Sequence, residues 1–296
     1  MKHLFIVNPV AGKGKTVELI PQIKEYCNSK GYEYETEITN RPGHATEIAR
    51  KKSSEQQIRI YSVGGDGTLN EVLNGMAGSG NSLAAVPSGS GNDFIRSIVG
   101  AEIPKNLLIP VIEGTERMID YAKVNDKYYI NITSFGFDAE VVYNAGHFKK
   151  LPLISGEMAY VLGILTSIIK CKNPKMNIKI GDDKQISSKT LLIAIGNGRY
   201  YGGGMLALPN AVIDDGQFDI CHVGAFKRFN ILRLFPKYMK GLHTSMEGVN
   251  LYRSNKVEVT MDEPVPMNLD GEITLIKEAK FEIFYKGLPF VVPANA

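Results

Sequence analysis

Short apolar runs alternate with helical spacings from residue 1 to about residue 114. HLFIVN at 3–8, YEYETEI at 32–38, IRIYSVGG at 58–65 and LAAVPSG at 83–89 read as strands, with Gly and Pro marking where they stop. Between them, residues 17–28, 45–52 and 68–77 carry apolar side chains at helical intervals. In the first of these helices they are Leu19, Ile20, Ile23, Tyr26 and Cys27. Strand and helix in alternation predict parallel strands with right-handed crossovers, a doubly wound α/β sheet. Ligands of such sheets bind at the carboxyl ends of the strands, and the Gly-rich segments of this half all fall there.

From about Asp120 the rhythm changes. YAKVNDKYYINITSFGFDAEV at 121–141 predicts two strands joined by a turn at Asn125-Asp126. MNIKI, SSKTLLIAIGNG, GQFDICHV, KVEVTM, VPMNLDGEITLI and AKFEIFYKG add further strands, many with period-two alternation. This is the signature of an antiparallel, sandwich-like β-rich domain. An apolar helix at 158–169 and a basic amphipathic stretch at 226–242 interrupt it. The expected division is an α/β nucleotide-binding domain at 1–120 and a β-rich domain at 121–296, with a C-terminal tail able to return to the first.

Composition narrows the function classes. At 44% hydrophobic and 22% charged residues over 296 positions the chain can bury a large core. Lys and Arg total 34 against 31 Asp and Glu, a net +3 that is too small for a nucleic-acid binder. Cys27, Cys171 and Cys221 are odd in number and far apart, which argues against a disulfide framework or structural zinc and for a reducing cytoplasm. The apolar run of MKHLFIVNP is too short for a secretory signal. The stretch at 158–169 falls short of the roughly 18–20 residues of a membrane span. A soluble protein is expected.

Three loops carry candidate chemistry. NPVAGKGKT at 8–16 ends like a P-loop, but Pro9 stands where the pattern needs its first Gly. What remains is a small-residue loop with Lys13 and Lys15, read either as a phosphate cradle or as a plain strand-to-helix turn. GGDGTLNE at 64–71 brings three glycines to a helix start. Its Asp66 would repel a phosphate unless a divalent cation lay between them. A capping box of Thr68 with Glu71 explains those two residues and leaves the glycines unexplained. PSGSGNDF at 87–94 places Phe94 where a dinucleotide fingerprint needs its third Gly. Farther on, DDGQ at 214–217 and DGE at 270–272 read locally as hairpin turns. The glycines at 202–204 form either a close-approach loop or a flexible connection. His3, His44, His147, His222 and His243 show no metal-ligand spacing.

Taken in order, these segments resemble the diacylglycerol kinase catalytic-domain family, and more narrowly the bacterial soluble lipid kinases built on it. NPVAG, GGDGTLNEV, PSGSGNDF, DDG and DGE carry the likeness; GGDGT alone is shared with NAD kinases and phosphofructokinases. The resemblance implies transfer of the ATP γ-phosphate to a lipid hydroxyl, foremost that of diacylglycerol, giving phosphatidic acid. It implies ATP contacts from Asn8, Pro9, Val10, Ala11, Gly12, Thr39, Gly65, Asp66, Gly67, Thr68, Leu69, Asn70, Glu71 and Ser90, the last a Thr in many relatives. It implies Mg2+ on Asp215 with main-chain oxygens of Val212 and Gln217, and Asp120 in the same acidic network. Asp270 would be the base that receives the hydroxyl proton, ionised without special tuning at an ordinary pKa of about 3.9, and Glu272 the second candidate. Peripheral contact with the cytoplasmic face of a membrane and a homodimer are further implications. The segments 158–169 and 226–242 either meet an anionic membrane surface or pack on the sheet with a solvated basic face. Two other readings compete: an NAD kinase-like soluble kinase, against NPVAG and GSGNDF, and a catalytically idle nucleotide-binding sensor, against Asp66, Asp215, Asp270 and Glu272.

Overall fold

Four strands, β1 (Lys2–Val7), β2 (Tyr34–Ile38), β3 (Ile58–Gly64) and β4 (Ser82–Pro87), pair in parallel in the order β2-β1-β3-β4. The computed structural model describes residues 1–55, 57–148, 151, 154, 156–170 and 172–294, with the backbone alone at 156, 157 and 160; Cys171 lies outside them. All seven residues of β3 are buried, as the near-continuous apolar run of a strand covered on both faces requires. The crossovers are α1 (Leu19–Lys30), α2 (His44–Lys52) and α3 (Asp66–Met76), followed by α4 (Asp93–Val99) and α5 (Leu108–Ile112). Strand order reverses between β1 and β3, the switch point at which such sheets take ligands. The helix expected from residue 17 begins differently. A 3-10 segment, Ala11–Glu18, precedes α1, because Gly12, Lys13 and Gly14 take left-handed backbone with φ of 59°, 58° and 88°.

The second half is antiparallel. Its strands are β5 (Thr115–Val124), β6 (Lys127–Tyr129), β7 (Ile132–Gly136), β8 (Lys175–Ile180), β9 (Lys184–Gly196), β10 (Tyr200–Tyr201), β11 (Met205–Leu206), β12 (Phe218–Gly224), β13 (Val249–Ser254), β14 (Lys256–Leu269) and β15 (Glu272–Val292). β7 and β8 each pair with both β9 and β14. This closes a sandwich around Phe135, Ile178, Ile195, Phe218, Val259 and Phe281.

One segment departs from its pattern. FDAEV, expected to end a strand, starts helix α6 (Phe137–Phe148) directly after Gly136 at φ 94°. Phe137, Ala139 and Val141 alternate as a strand would, but Phe137, Val141 and Ala145 also recur at intervals of four, and all are buried. Helix α7 (Gly156–Lys170) packs on α6. Helix α8 (Arg228–Met239) covers the same apolar cluster with Ile231, Leu234 and Tyr238, and Ile164 and Ile168 of α7 pack against that cluster.

β15 ties the halves together. It pairs with β14 and β5, and its Phe290 lies in parallel register with Leu83 of β4. The division set at residues 120 and 121 falls inside β5, and the two halves share one sheet.

Candidate active site

Three loops meet backbone to backbone at the carboxyl end of the parallel strands. Ser88 N donates to Gly64 O at 2.8 Å, Asn8 Nδ2 to Thr68 Oγ1 at 2.9 Å, and Thr16 Oγ1 to Asn8 O at 2.6 Å. A Cβ added to Gly12 would stand 2.5 Å from Ser88 O, and one on Gly89 would stand 2.5 Å from the Gly65 Cα. These glycines are needed for the loops to touch at all. Gly67 is different: a Cβ there meets nothing within 4 Å and would project into open space.

Facing these loops across a cleft of about 870 Å³ are Asn131, Ile132, Val142, Tyr201, Gly202, Asn268, Asp270 and Gly271 from the second half. Four carboxylates line the cleft: Asp66, Glu71, Asp93 and Asp270. Asp93 spans the two halves, its oxygens accepting the N–H groups of Gly203 at 2.8 Å and Gly204 at 2.7 Å. The glycine segment 202–204 is thus held in a left-handed turn, with φ of 62°, 86° and 101°. Burial raises the pKa of Asp93 against the pull of those two N–H groups. Burial and then the charge of Asp93 raise that of Asp66.

Asp270 sits at the tip of the β14–β15 hairpin. Leu269 faces Glu272 in register, leaving a two-residue turn in which Asp270 has φ 47° and Gly271 φ 93°. Two positive φ values mark a type I′ turn, for which Asp-Gly is a preferred pair. The turn reading of DGE was therefore sound, and the turn also presents a carboxylate to the cleft. Asp270 Oδ2 accepts Asn70 Nδ2 at 2.8 Å. Its Oδ1 is sealed from solvent with no hydrogen-bond partner among the described residues. Burial, and after it the charge of Asp66, pushes the Asp270 pKa up to about 7, while the Asn70 amide opposes them. The ordinary carboxylate value expected from sequence does not apply here.

The other expected site residues divide. Asn8, Val10, Ala11, Gly12, Gly65, Asp66, Gly67, Thr68, Glu71 and Ser90 line the cleft; Pro9, Thr39, Leu69 and Asn70 are outside its lining. Thr39 is buried beyond β2, where its N–H bonds Val7 O at 2.9 Å, and Leu69 is a core residue. Asn70 turns its amide to Asp270 and to Tyr128 O at 3.1 Å. The capping box does not form. Gly65 precedes α3 without a side-chain cap, and Glu71 instead accepts Gly43 N at 2.9 Å and Ala45 N at 3.1 Å at the start of α2. Glu272 is exposed, pairs with Lys127 at 3.5 Å, and stands outside the cleft lining.

The loop 212–217 is a separate acidic centre. Asp215 Oδ1 accepts Gln217 N at 3.0 Å, and its Oδ2 accepts Arg253 Nη2. Asp120, fully buried, accepts Gly216 N and Lys286 N, each at 2.6 Å. Asp214 pairs with Arg117 at 2.6 Å, and Asp219 lies 3.6 Å from Arg253 Nε. Burial raises the pKa of Asp120, and the charges of Asp215 and Asp214 add to it.

Sequence reasoning passed over Asp93 and Asn74. Asn74 accepts Tyr128 N at 2.9 Å and donates to Tyr128 O at 2.8 Å and to Asn70 Oδ1 at 3.0 Å. One signal was available: Asn70 and Asn74 are one helical turn apart and share a face.

Both halves of the chain have known relatives. Residues 2–124 match the diacylglycerol kinase catalytic domain, and residues 131–289 the YegS C-terminal NAD kinase beta sandwich-like domain. A diacylglycerol kinase of Bacillus subtilis (strain 168) is 29% identical over 295 residues, 98% of this chain and 95% of the relative. One of Staphylococcus aureus (strain MRSA252) is 29% identical over 273 residues, 90% and 85% of the two chains. The crystal structure of a diacylglycerol kinase from Bacillus anthracis str. Sterne shares the fold at a TM-score of 0.72 and 21% identity, over 99% of this chain and 97% of that one. An NAD kinase from Archaeoglobus fulgidus in complex with ATP shares it at 0.52 and 13%, over 100% and 94%.

Proposed function

The chain belongs to the diacylglycerol kinase catalytic-domain family, and from that membership we propose that it transfers the γ-phosphate of ATP to the hydroxyl of diacylglycerol in the cleft between its halves. The observation that carries this reading is Asp270, a half-buried carboxylate held by the Asn70 amide at 2.8 Å on the side of the cleft opposite the glycine loops. The residues fit a nucleotide polyphosphate. Gly67 leaves backbone bare at the N-terminus of α3, where N–H groups and the helix dipole favour an anion, and Lys13 lines the same cleft. Phosphoryl transfer asks for positioning and charge stabilisation more than covalent chemistry. The acceptor oxygen attacks the γ-phosphorus, the bond from it to the bridging oxygen of ADP breaks, and the hydroxyl proton passes to Asp270. ATP consumption measured with diacylglycerol micelles, with NAD and with no acceptor tests the reading. Consumption driven by NAD and not by diacylglycerol would overturn it.

The resemblance puts a hard divalent cation at the loop 212–217, and the Asp215 carboxylate with the main-chain oxygens of Val212 and Gln217 is a donor set of the right kind, although no group of three His, Cys, Asp or Glu side chains able to hold a metal occurs among the described residues. Asp120, Asp214 and Asp219 surround it, against the guanidinium groups of Arg117 and Arg253. Mg2+ there would compete with Arg253 for Asp215 and brace the loop against β5. Asp215→Ala should raise the Mg2+ concentration for half-maximal activity about tenfold or more, the scale seen when residues that support a metal site are removed. An unchanged requirement would leave Asp215 as a hairpin residue.

Asn70 is a positioning residue on this account. Its amide favours the charged form of Asp270, so Asn70→Leu should move the acid limb of the kcat–pH profile to higher pH. A lowered kcat with the limb unmoved would assign Asn70 to folding alone.

A further inference from the structure

We infer that α7 and α8 together form the face on which this protein sits on an anionic lipid bilayer. Both helices cover one apolar cluster with their inner sides and leave large apolar side chains on their outer sides. On α7 these are Val161, Leu165 and Ile169, the last 66% exposed; on α8 they are Phe229, Leu232 and Met239, with Phe229 at 83%. On α7 the residues recur every four positions, and on α8 the intervals of three and seven return them to one stripe. Burial alone does not explain such residues, since the inner stripes already fill the core.

Charge identifies the occupant. Between Gly224 and Met246 the chain carries Lys227, Arg228, Arg233, Lys237 and Lys240 and no Asp or Glu. The whole chain is only +3, so this segment carries a net +5 while the remainder of the molecule is slightly net negative. All five side chains are exposed, and none pairs with a carboxylate among the described residues. On α8, Arg228 flanks the stripe on one side and Arg233 and Lys237 on the other, with Lys240 at the C-cap. An apolar stripe bordered by cations is the form of a helix lying in a membrane interface. No helix among the described residues is long and apolar enough to cross a membrane, so the contact is with the surface. The site is close at hand: α6, which packs on α7, contributes Val142 to the cleft. A diacylglycerol held in that bilayer would enter the cleft beside α6. The inference rests on the lipid-kinase reading, and the experiment separates the two.

The full chain is sedimented with vesicles of phosphatidylcholine alone and of phosphatidylcholine mixed with phosphatidylglycerol. Binding is expected on the mixed vesicles and should fall at high salt, which screens exposed charges. Arg233→Gln, Lys237→Gln and Lys240→Gln combined should weaken it about 100-fold, at roughly fivefold per charge near an anionic surface. Phe229→Ser with Leu232→Ser should weaken it more than about tenfold through lost apolar burial. All five positions are exposed, so melting temperatures should hold. Equal wild-type binding to both vesicle types, or full binding by the charge variant, overturns the inference. Both variants should consume ATP normally with a short-chain diacylglycerol dispersed in water. Failure of the wild type in that assay counts against the kinase reading and leaves the vesicle result standing.

Discussion

Asp270→Asn is expected to lower kcat about 100-fold or more, the usual scale for loss of a general base, with little change in ATP affinity. The substitution keeps the size of the side chain and suits a type I′ turn equally well; it removes the charge and the basicity. The wild-type enzyme should also lose activity as pH falls through about 7, because burial and Asp66 hold the Asp270 pKa there and a protonated carboxyl cannot accept the substrate proton. Stability runs the other way. A carboxyl whose pKa is raised by folding favours the folded state fully below its unfolded value, about 3.9, and loses that contribution as pH rises through about 7. At pH 8 the wild type holds a sealed charge, so Asp270→Asn should melt at a higher temperature than wild type there, and the difference should vanish near pH 3. A variant with near-normal kcat would make Asp270 a turn residue. Asp66 in the same cleft would then be the next base to test, ahead of Glu272, which pairs with Lys127 outside it.

The second large effect is expected at Gly67. Gly67→Val should weaken ATP binding about tenfold or more, since forcing branched carbon into a contact surface costs typically 1–3 kcal/mol. The melting temperature should not fall, because no atom beyond its chain neighbours and its own helix turn lies within 4 Å of the new Cβ and valine is the better helix former. Gly89→Val makes the contrast, since its Cβ would collide with the Gly65 backbone at 2.5 Å and the fold should suffer with the ligand site. Gly67→Val that bound ATP normally would show that the nucleotide does not approach α3.

The contrast between those glycines shows what was legible in sequence. A cluster of Gly at strand ends announces close backbone approach, but not whether the approaching partner is a ligand, as the space around Gly67 allows, or another loop, as at Gly12 and Gly89. Linear motifs also mislead about partners. Asn70 lies among presumed ATP contacts, yet its amide bonds a carboxylate 200 residues away, a pairing that only the closure of the sandwich creates. The parallel strands and most of the β-rich strands were readable because burial on both faces or on one leaves distinct periodicities. Helix α6 was not, because Phe137, Ala139 and Val141 satisfy both periods and the left-handed Gly136 that breaks β7 looks in sequence like any strand glycine. The interdomain latch at Asp93 was hidden inside PSGSGNDF by its more conspicuous glycines, and its partners Gly203 and Gly204 lie 110 and 111 residues on.

One cleft is proposed to join ATP to a lipid hydroxyl with Asp270 as base. The most direct measurement follows label from the γ-phosphate of ATP, with diacylglycerol as acceptor, in the wild type and in Asp270→Asn side by side. Label should reach phosphatidic acid with the wild type, and transfer should be about 100-fold slower in the variant. Label released only as inorganic phosphate, or equal rates of transfer by the two proteins, would contradict it.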